Sequence, residues 1–140
     1  INLLKVKTIR FSELDNDNAA TATAVIVDNI GNLSSLYAYA GLAYIGGGFN
    51  TSVHNVLEAA VYNIPVVFGP NYHKAEEAKE LLQLGVAYSI NNYTSFNEKI
   101  RYAVSHLITD YDVKLKLKGY FDSKRGGTLQ VYQTAIGLLR

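Results

Sequence analysis

Three glycines, Gly46-Gly47-Gly48, are followed within ten residues by His54, Asn55 and Glu58, a polar cluster at what reads as the start of a helix. A run of glycine lets the main chain bend sharply and lets a ligand approach it with no Cβ in the way. The helix that follows would offer unpaired N–H groups and a positive dipole end to an anion. Turning about 100° per residue puts Val53, Val56, Leu57, Ala60 and Val61 on one arc, fit to pack on a sheet, with His54, Asn55, Glu58 and Tyr62 opposite. His54 and Asn55 would then flank a phosphate. Glu58, one turn further in, is repelled by a phosphate but well suited to accept two hydrogen bonds from a ribose diol, so the pattern reads as a nucleotide site. From these residues alone, plainer roles stay open: a tight turn for the glycines, a helix-start polar residue for His54, a solvated helix residue for Glu58.

Other chemistries find less support. The dinucleotide fingerprint fails because Thr51 stands where its third glycine belongs and the next strand closes in Gly69-Pro70, not in an acid. No Walker lysine follows the glycines. His54 and Glu58 sit four residues apart and could share a metal, but His73 and His106 lie in unrelated segments, so no metal is expected. No serine stands in a nucleophile-elbow sequence. The chain has no cysteine, which excludes disulfides, thiolate chemistry and cysteine zinc sites. Thirteen basic against twelve acidic residues give a net charge of +1 and no global pull toward nucleic acid. Residues 99–140 are more basic, with Lys99, Arg101, Lys114, Lys116, Lys118, Lys124, Arg125 and Arg140 against Asp110, Asp112 and Asp122. Such a tilt fits either a solvated face or an anionic surface.

The elements that must position the cluster alternate along the chain, whose 140 residues suit one compact domain. Strands are expected at Val6 to Phe11, Ala24 to Val27, Leu42 to Ile45, Pro65 to Phe68 and Ala87 to Ile90. Helices are expected from an Asn32 cap through Leu33, Leu36, Tyr37 and Ala40 to Gly41, over Val53 to Tyr62, and over Lys74 to Leu84. A further helix should open on a Ser95–Glu98 capping box, its apolar face Phe96, Ile100, Ala103, Val104, Leu107 and Ile108. Asp15 to Asn18 reads as a turn or surface loop. Val113 to Lys118 alternates like an edge strand but sits among helices and is read as helix. Short connections between alternating strands and helices predict an α/β fold, a Rossmann-like open parallel sheet with helices on both faces, one half of a doubly wound architecture. In such a sheet ligands sit outside the carboxyl ends of the strands, where the glycines lie. With no leader and no bilayer-length apolar run, the chain as given is expected to be soluble.

From Val25 to Ile90 the sequence resembles the second domain of the 3-deoxy-D-manno-octulosonic acid (Kdo) transferases, which move Kdo from CMP-Kdo to lipid A precursor. The resemblance is carried by Val25-Ile26-Val27-Asp28-Asn29-Ile30-Gly31-Asn32-Leu33, Ala43-Tyr44-Ile45-Gly46-Gly47, His54-Asn55-Val56-Leu57-Glu58 and Asn63-Ile64-Pro65-Val66-Val67-Phe68-Gly69-Pro70, in the family's order. Lys124-Arg125-Gly126-Gly127-Thr128 is similar to the family's Arg-Gly-Ala-Thr element. Departures are Asn32 for the family's Glu, Ser52-Val53 for a Gly-Gly pair, Ala59 for Pro and Asn63 for Gly.

The resemblance implies one half of a GT-B glycosyltransferase: residues 1–140 as the C-terminal domain that binds the donor nucleotide, with the N-terminal acceptor domain and this domain's opening strand lying outside the chain. It implies that Ile30, Gly31 and Asn32 lie beside the cytidine. Asn55 with the main chain of Val56 and Leu57 would meet the phosphate, Glu58 would hold the ribose, and Gly46, Gly47, Gly48 and His54 would support the loop. No residue of the chain is then catalytic, since the family's carboxylate lies in the other domain, and no cofactor is implied beyond the donor substrate CMP-Kdo. The implied partners are lipid A precursor, through the other domain, and the cytoplasmic face of the bacterial inner membrane, without nucleic acid. The isolated chain is expected to be inactive.

Overall fold

A computed structural model describes residues 6–107 and 110–138 and divides the chain into two compact units, residues 1–39 and 40–140. In the first unit β1 (Thr8–Arg10) and β2 (Ala24–Ile26) pair in parallel, with Ile9 opposite Val25. Between them Asp15 to Asn18, read as a loop, winds instead into the one-turn helix α1 (Asn16–Ala19). The cause is a reciprocal cap. The Asp15 carboxylate accepts the N–H groups of Asp17 and Asn18, while the Asn18 side chain accepts the N–H of Asp15. After β2, Asp28 accepts the Ser12 hydroxyl at 2.6 Å and the Ser12 N–H at 3.1 Å, which holds its carboxyl below the usual range. Helix α2 (Leu33–Leu36) continues as a 3-10 turn over Tyr37–Tyr39. Asn32 precedes it in a helical conformation and makes no side-chain cap, contrary to the sequence reading.

The second unit is a parallel three-stranded sheet in the order β3 (Ala43–Ile45), β4 (Val66–Phe68), β5 (Ala87–Ser89). Ile45 pairs with Phe68 and Phe68 with Ser89, so the carboxyl ends of the strands lie level. Consecutive side chains of a strand point to opposite faces, and Val66, Val67 and Phe68 are all fully buried. Both faces of the central strand are therefore covered, which is why it reads as an unbroken apolar run. The helices around the sheet are α3 (Leu57–Ala60), α4 (Glu76–Gln83), α5 (Tyr93–Tyr102) and α6 (Tyr111–Lys124); α3 buries Ala59 and Ala60, α4 buries Ala78 and Leu81, α6 buries Val113 and Leu117, and Phe96 of α5 stands edge-on to Tyr44 of β3. The last helix, α7 (Gly127–Leu138), was not anticipated. Asn63, in the family's glycine position, adopts a left-handed φ of 60° after α3, a conformation asparagine tolerates better than most residues.

Three expected boundaries move for local reasons. Helix α5 opens on Asn92, whose side chain accepts the N–H of Ser95 while the Ser95 hydroxyl accepts the N–H of Asn92. Ser95 thus closes a capping box instead of opening one. Past Tyr102 the helix widens into a π turn over Ala103–Leu107, with the Ser105 hydroxyl on the Arg101 carbonyl at 2.7 Å. The extra residue rotates the apolar face. Ala103 and Leu107 are buried and Val104 is exposed, while Ile108 and Arg140 lie outside the described residues. The alternating Val113 to Lys118 segment is helical because Val113 and Leu117, one turn apart, are its buried pair and Leu115 faces solvent.

Helix α6 is strapped to α4 by one carboxylate. Glu80 accepts the Tyr120 hydroxyl at 2.6 Å and pairs with Lys124 at 2.7 Å. The Lys124 ammonium first, then the Tyr120 hydroxyl, hold the Glu80 carboxyl below its ordinary 4.5, and burial pushes the Tyr120 phenol up. A carboxyl with a lowered folded-state pKa contributes stability that is complete above its unfolded value and is lost as pH falls through the folded one. The thermal midpoint of the wild type is therefore expected to fall as pH is taken below about 4.5, and Glu80→Gln should flatten part of that fall. Circular dichroism melts between pH 3 and pH 6 would check it; equal slopes for both proteins would show the strap to be inert.

Candidate functional site

Because Ile45 and Phe68 are paired, the turns that leave β3 and β4 emerge side by side at the carboxyl end of the sheet. They are sewn together by main-chain hydrogen bonds. Asn71 donates its N–H to the Gly48 carbonyl at 2.8 Å and accepts the Val53 N–H at 2.9 Å, and the Asn71 side chain donates to the Asn50 carbonyl. His54 donates its N–H to the Gly46 carbonyl at 3.0 Å.

The glycines answer to this packing. A Cβ on Gly48 would stand 2.7 Å from the Gly69 nitrogen, and one on Gly69 would strike Gly48 in turn. Gly47 has a φ of 86°, and a Cβ there would meet the Ser52 carbonyl and lie 2.6 Å from the His54 ring. The space that glycine leaves open at residues 47 and 48 is filled by the chain's own backbone and imidazole. The room for a ligand lies beside the glycines.

The same hydrogen bonds correct the expected helix over Val53 to Tyr62. Val53 and His54 donate to Asn71 and Gly46, and Leu57 donates to the Asn55 side chain and not to the Val53 carbonyl as a helix from residue 53 would require; the first ladder bond runs from Ala60 to the Val56 carbonyl, and α3 begins only at Leu57. Its far end tightens into i to i+3 bonds from Tyr62 and Asn63. His54 and Asn55 therefore precede the helix and do not sit in its first turn. With four residues, α3 carries little of the dipole that the sequence reading assigned to it.

Asn55 is the joint of the arrangement. Its side-chain oxygen accepts the Leu57 N–H at 3.0 Å, and its side-chain nitrogen donates to Glu58 Oε1 at 3.1 Å. Val56 beside it is buried and anchors the loop, so its main chain alone faces a ligand. Glu58 is exposed and keeps a second carboxylate oxygen for other donors. A cleft of about 470 Å³ runs along Ser52 to Leu57 and is closed by Lys74 and Ala75 from the turn before α4 and by Glu77 from its first turn. Lys74 has no ion pair or side-chain hydrogen bond among the described residues, although Glu76 and Glu77 follow closely. It was missed in the sequence, where it reads as the first residue of a helix. The usable signal was its place in the turn after β4, next to the glycine turn. Ile30, Gly31 and Asn32 belong to the first unit, in the segment between β2 and α2, with Ile30 fully exposed.

No protein-family model matches the chain. Among solved structures, the C-terminal CMP-Kdo-binding domain of WaaA from Acinetobacter baumannii superposes with a TM-score of 0.70 at 20% identity, covering 81% of this chain and 60% of that one. The fold is therefore that of a Rossmann-like domain, parallel strands flanked by helices. By sequence, 96 residues are 35% identical to the 3-deoxy-D-manno-octulosonic acid transferase of Aquifex aeolicus, covering 67% of this chain and 26% of that protein. The Rickettsia felis transferase of the same name is 34% identical over 96 residues, covering 68% and 20%. Over about two thirds of its length the chain is thus similar to 3-deoxy-D-manno-octulosonic acid transferases, and it spans about a fifth to a quarter of the length of these relatives.

Proposed function

We propose that the chain is the donor-nucleotide-binding part of an inverting glycosyltransferase that moves Kdo from CMP-Kdo to lipid A precursor. The observation that carries this is Asn55, which lines an open cleft with Lys74 on its other wall and ties the start of α3 to the Glu58 carboxylate. In this reading the CMP phosphate lies along the Ser52 to Val56 main chain opposite Lys74. Lys74 supplies the charge that four residues of α3 cannot, and Glu58 holds the ribose diol through its free oxygen. As bonding to the sugar breaks, negative charge grows on the phosphate, and the same donors then hold it more strongly than in the ground state. The general base that activates the acceptor hydroxyl is a carboxylate of the acceptor-binding domain, outside this chain.

The acceptor places the work at the cytoplasmic face of the inner membrane, and the basic residues of α6 suit an anionic surface. Among the described residues no helix is long and apolar enough to cross a membrane. Replacing Lys114, Lys116 and Lys118 with Gln in the intact enzyme is expected to weaken binding to anionic vesicles several-fold, at about 1 kcal/mol per lysine near the surface at most. Unchanged sedimentation with the vesicles would remove the membrane role.

The donor reading is tested by titrating CMP, UMP and AMP into the 140-residue chain and following amide shifts by NMR. CMP is expected to move Asn55 and Glu58 selectively, with Gly31 as a separate readout for the first unit. Preference for UMP would favour a UDP-sugar transferase or epimerase of the same architecture. No response to any nucleotide would leave a non-catalytic Rossmann-like domain in which the glycines only make a turn.

A further inference from the structure

The last rung of the strand pair in the first unit is Arg10 opposite Ile26, and the same register carried two residues further sets Ser12 level with Asp28. Both oxygens of the Asp28 carboxylate are taken there by one residue: Oδ1 accepts the Ser12 N–H at 3.1 Å and Oδ2 the Ser12 hydroxyl at 2.6 Å. Ser12 lies in a 3-10 turn that follows β1 without a break, so the anchor is tied to the strand pair itself. The Ser12 hydroxyl first, then its N–H, hold the carboxyl below its ordinary 3.8, and at neutral pH it is ionised and a strong acceptor.

The segment that follows Asp28 has little else to hold it. Ile30 is fully exposed, and Gly31 has a φ of 100° with open space where a Cβ would stand. Asn29 and Asn32 make no side-chain hydrogen bond among the described residues. The segment stands at the carboxyl end of a parallel strand, the side on which such sheets take ligands. An aliphatic side chain beside two carboxamides, each with a donor and an acceptor, suits a flat heterocycle with a hydrogen-bonding edge, which is what a nucleotide base presents. A loop so thinly packed loses entropy when it orders around a base, and that loss subtracts from affinity unless the loop is ordered beforehand. Asp28 is the residue placed to order it, and Ser12 is what fixes Asp28.

We propose that Ser12 is a positioning residue for nucleotide binding: by holding both oxygens of Asp28 it presets residues 29–32 in the shape that meets the base. The assignment rests on the donor-binding reading and deepens it, because it puts base affinity under the control of a residue that touches no part of the nucleotide. When the anchor is cut, only a fraction of the chains present the loop in its binding shape, and the apparent dissociation constant rises by that fraction. Ser12 and Asp28 are both exposed, so losing their bond costs the fold little and the effect on binding can be read by itself.

The experiment titrates CMP, and ribose 5-phosphate as a probe without a base, into the 140-residue chain and into Ser12→Ala and Ser12→Thr, following amide shifts by NMR. Before ligand is added, the amides from β3 to β5 report that each variant is folded. Ser12→Ala removes the hydroxyl bond and is expected to bind CMP about fivefold more weakly, with ribose 5-phosphate affinity unchanged and the Gly31 amide already displaced in the free protein. Ser12→Thr keeps both donors and is expected to bind CMP like the wild type. Unchanged CMP affinity in Ser12→Ala would overturn the assignment. So would an equal loss for CMP and ribose 5-phosphate, which would make the pair a general prop of the chain, and so would a Thr variant as weak as the Ala one. A failure of the underlying reading looks different, because then the wild type itself does not respond to CMP and the assignment falls with it.

Discussion

Gly48→Ala is expected to lower the thermal midpoint of the chain by roughly 10 °C, and Gly46→Ala, two residues earlier in the same run, by no more than about 2 °C. The difference lies in what each new methyl group would meet. At residue 46 it makes contacts of 3.6 Å and longer with the His54 ring, ordinary van der Waals distances. At residue 48 it falls 2.7 Å from the nitrogen and 2.8 Å from the Cα of Gly69, both backbone atoms of a buried residue that cannot swing aside as a side chain would. Overpacking of this kind costs about 1–3 kcal/mol, and about 3–4 °C of midpoint accompany each kcal/mol in a domain of this size. Gly47→Ala belongs with Gly48→Ala, because it combines a close contact to Ser52 with a φ of 86°. The damage should also reach the site. The Gly48 carbonyl takes the Asn71 N–H, so forcing the two turns apart moves Asn71 and opens the cavity it lines. Calorimetric or circular dichroism melts of the three variants would read the order. Three equally small shifts would mean that turn packing is not what demands glycine here.

The same contrast shows how far a sequence can be read. The apolar run at Pro65 to Phe68 was legible as a buried parallel strand because such a run bounded by turn residues has few other uses, whereas the similar run at Ala24 to Val27 forms a parallel strand whose Val25 and Ile26 are exposed. The turn of Gly46 to Gly48 at the end of β3 was legible for the same kind of reason, three glycines after an apolar run being suited to a sharp turn. The start of α3 was not, since it is decided by the Asn55 side chain, which takes the Leu57 N–H that a helix from Val53 would give to the Val53 carbonyl. No helical periodicity within residues 53–62 records that bond. Helix α5 erred in the opposite direction, through two nested caps of similar type, where Asn92 reaches Ser95 before Ser95 can reach Glu98. The exposed Val104 follows from a π turn that a fixed rotation of 100° per residue cannot anticipate. Lys74 escaped because a lone lysine before two glutamates looks like a solvated helix start. Its importance depends on the neighbouring strand's turn, and adjacency of strands is what a single sequence states least directly.

Asn55→Asp is expected to leave the fold intact and to weaken CMP binding about 10- to 100-fold. The substitution separates two tasks that Asn55 performs with different atoms. Its oxygen holds the Leu57 N–H at 3.0 Å, and an aspartate oxygen can do the same, so the start of α3 and the thermal midpoint should change by only about 1–2 °C. Its nitrogen donates to Glu58 Oε1 at 3.1 Å, and aspartate has no donor to replace it. The two carboxylates would instead repel each other, turning Glu58 away from the ribose it is proposed to hold, and the added charge would oppose the phosphate lying along residues 52–56. Asn55→Ala makes the complementary comparison: it also loses the cap, which costs about 1 kcal/mol of stability, but adds no charge. Binding losses in the order Asp greater than Ala, with stability losses in the order Ala greater than Asp, would tie the site to the electrostatics of the Asn55–Glu58 pair. If Asn55→Asp bound CMP as tightly as wild type, Asn55 would be a turn residue only, and the phosphate would have to be sought on the Lys74 side of the cleft.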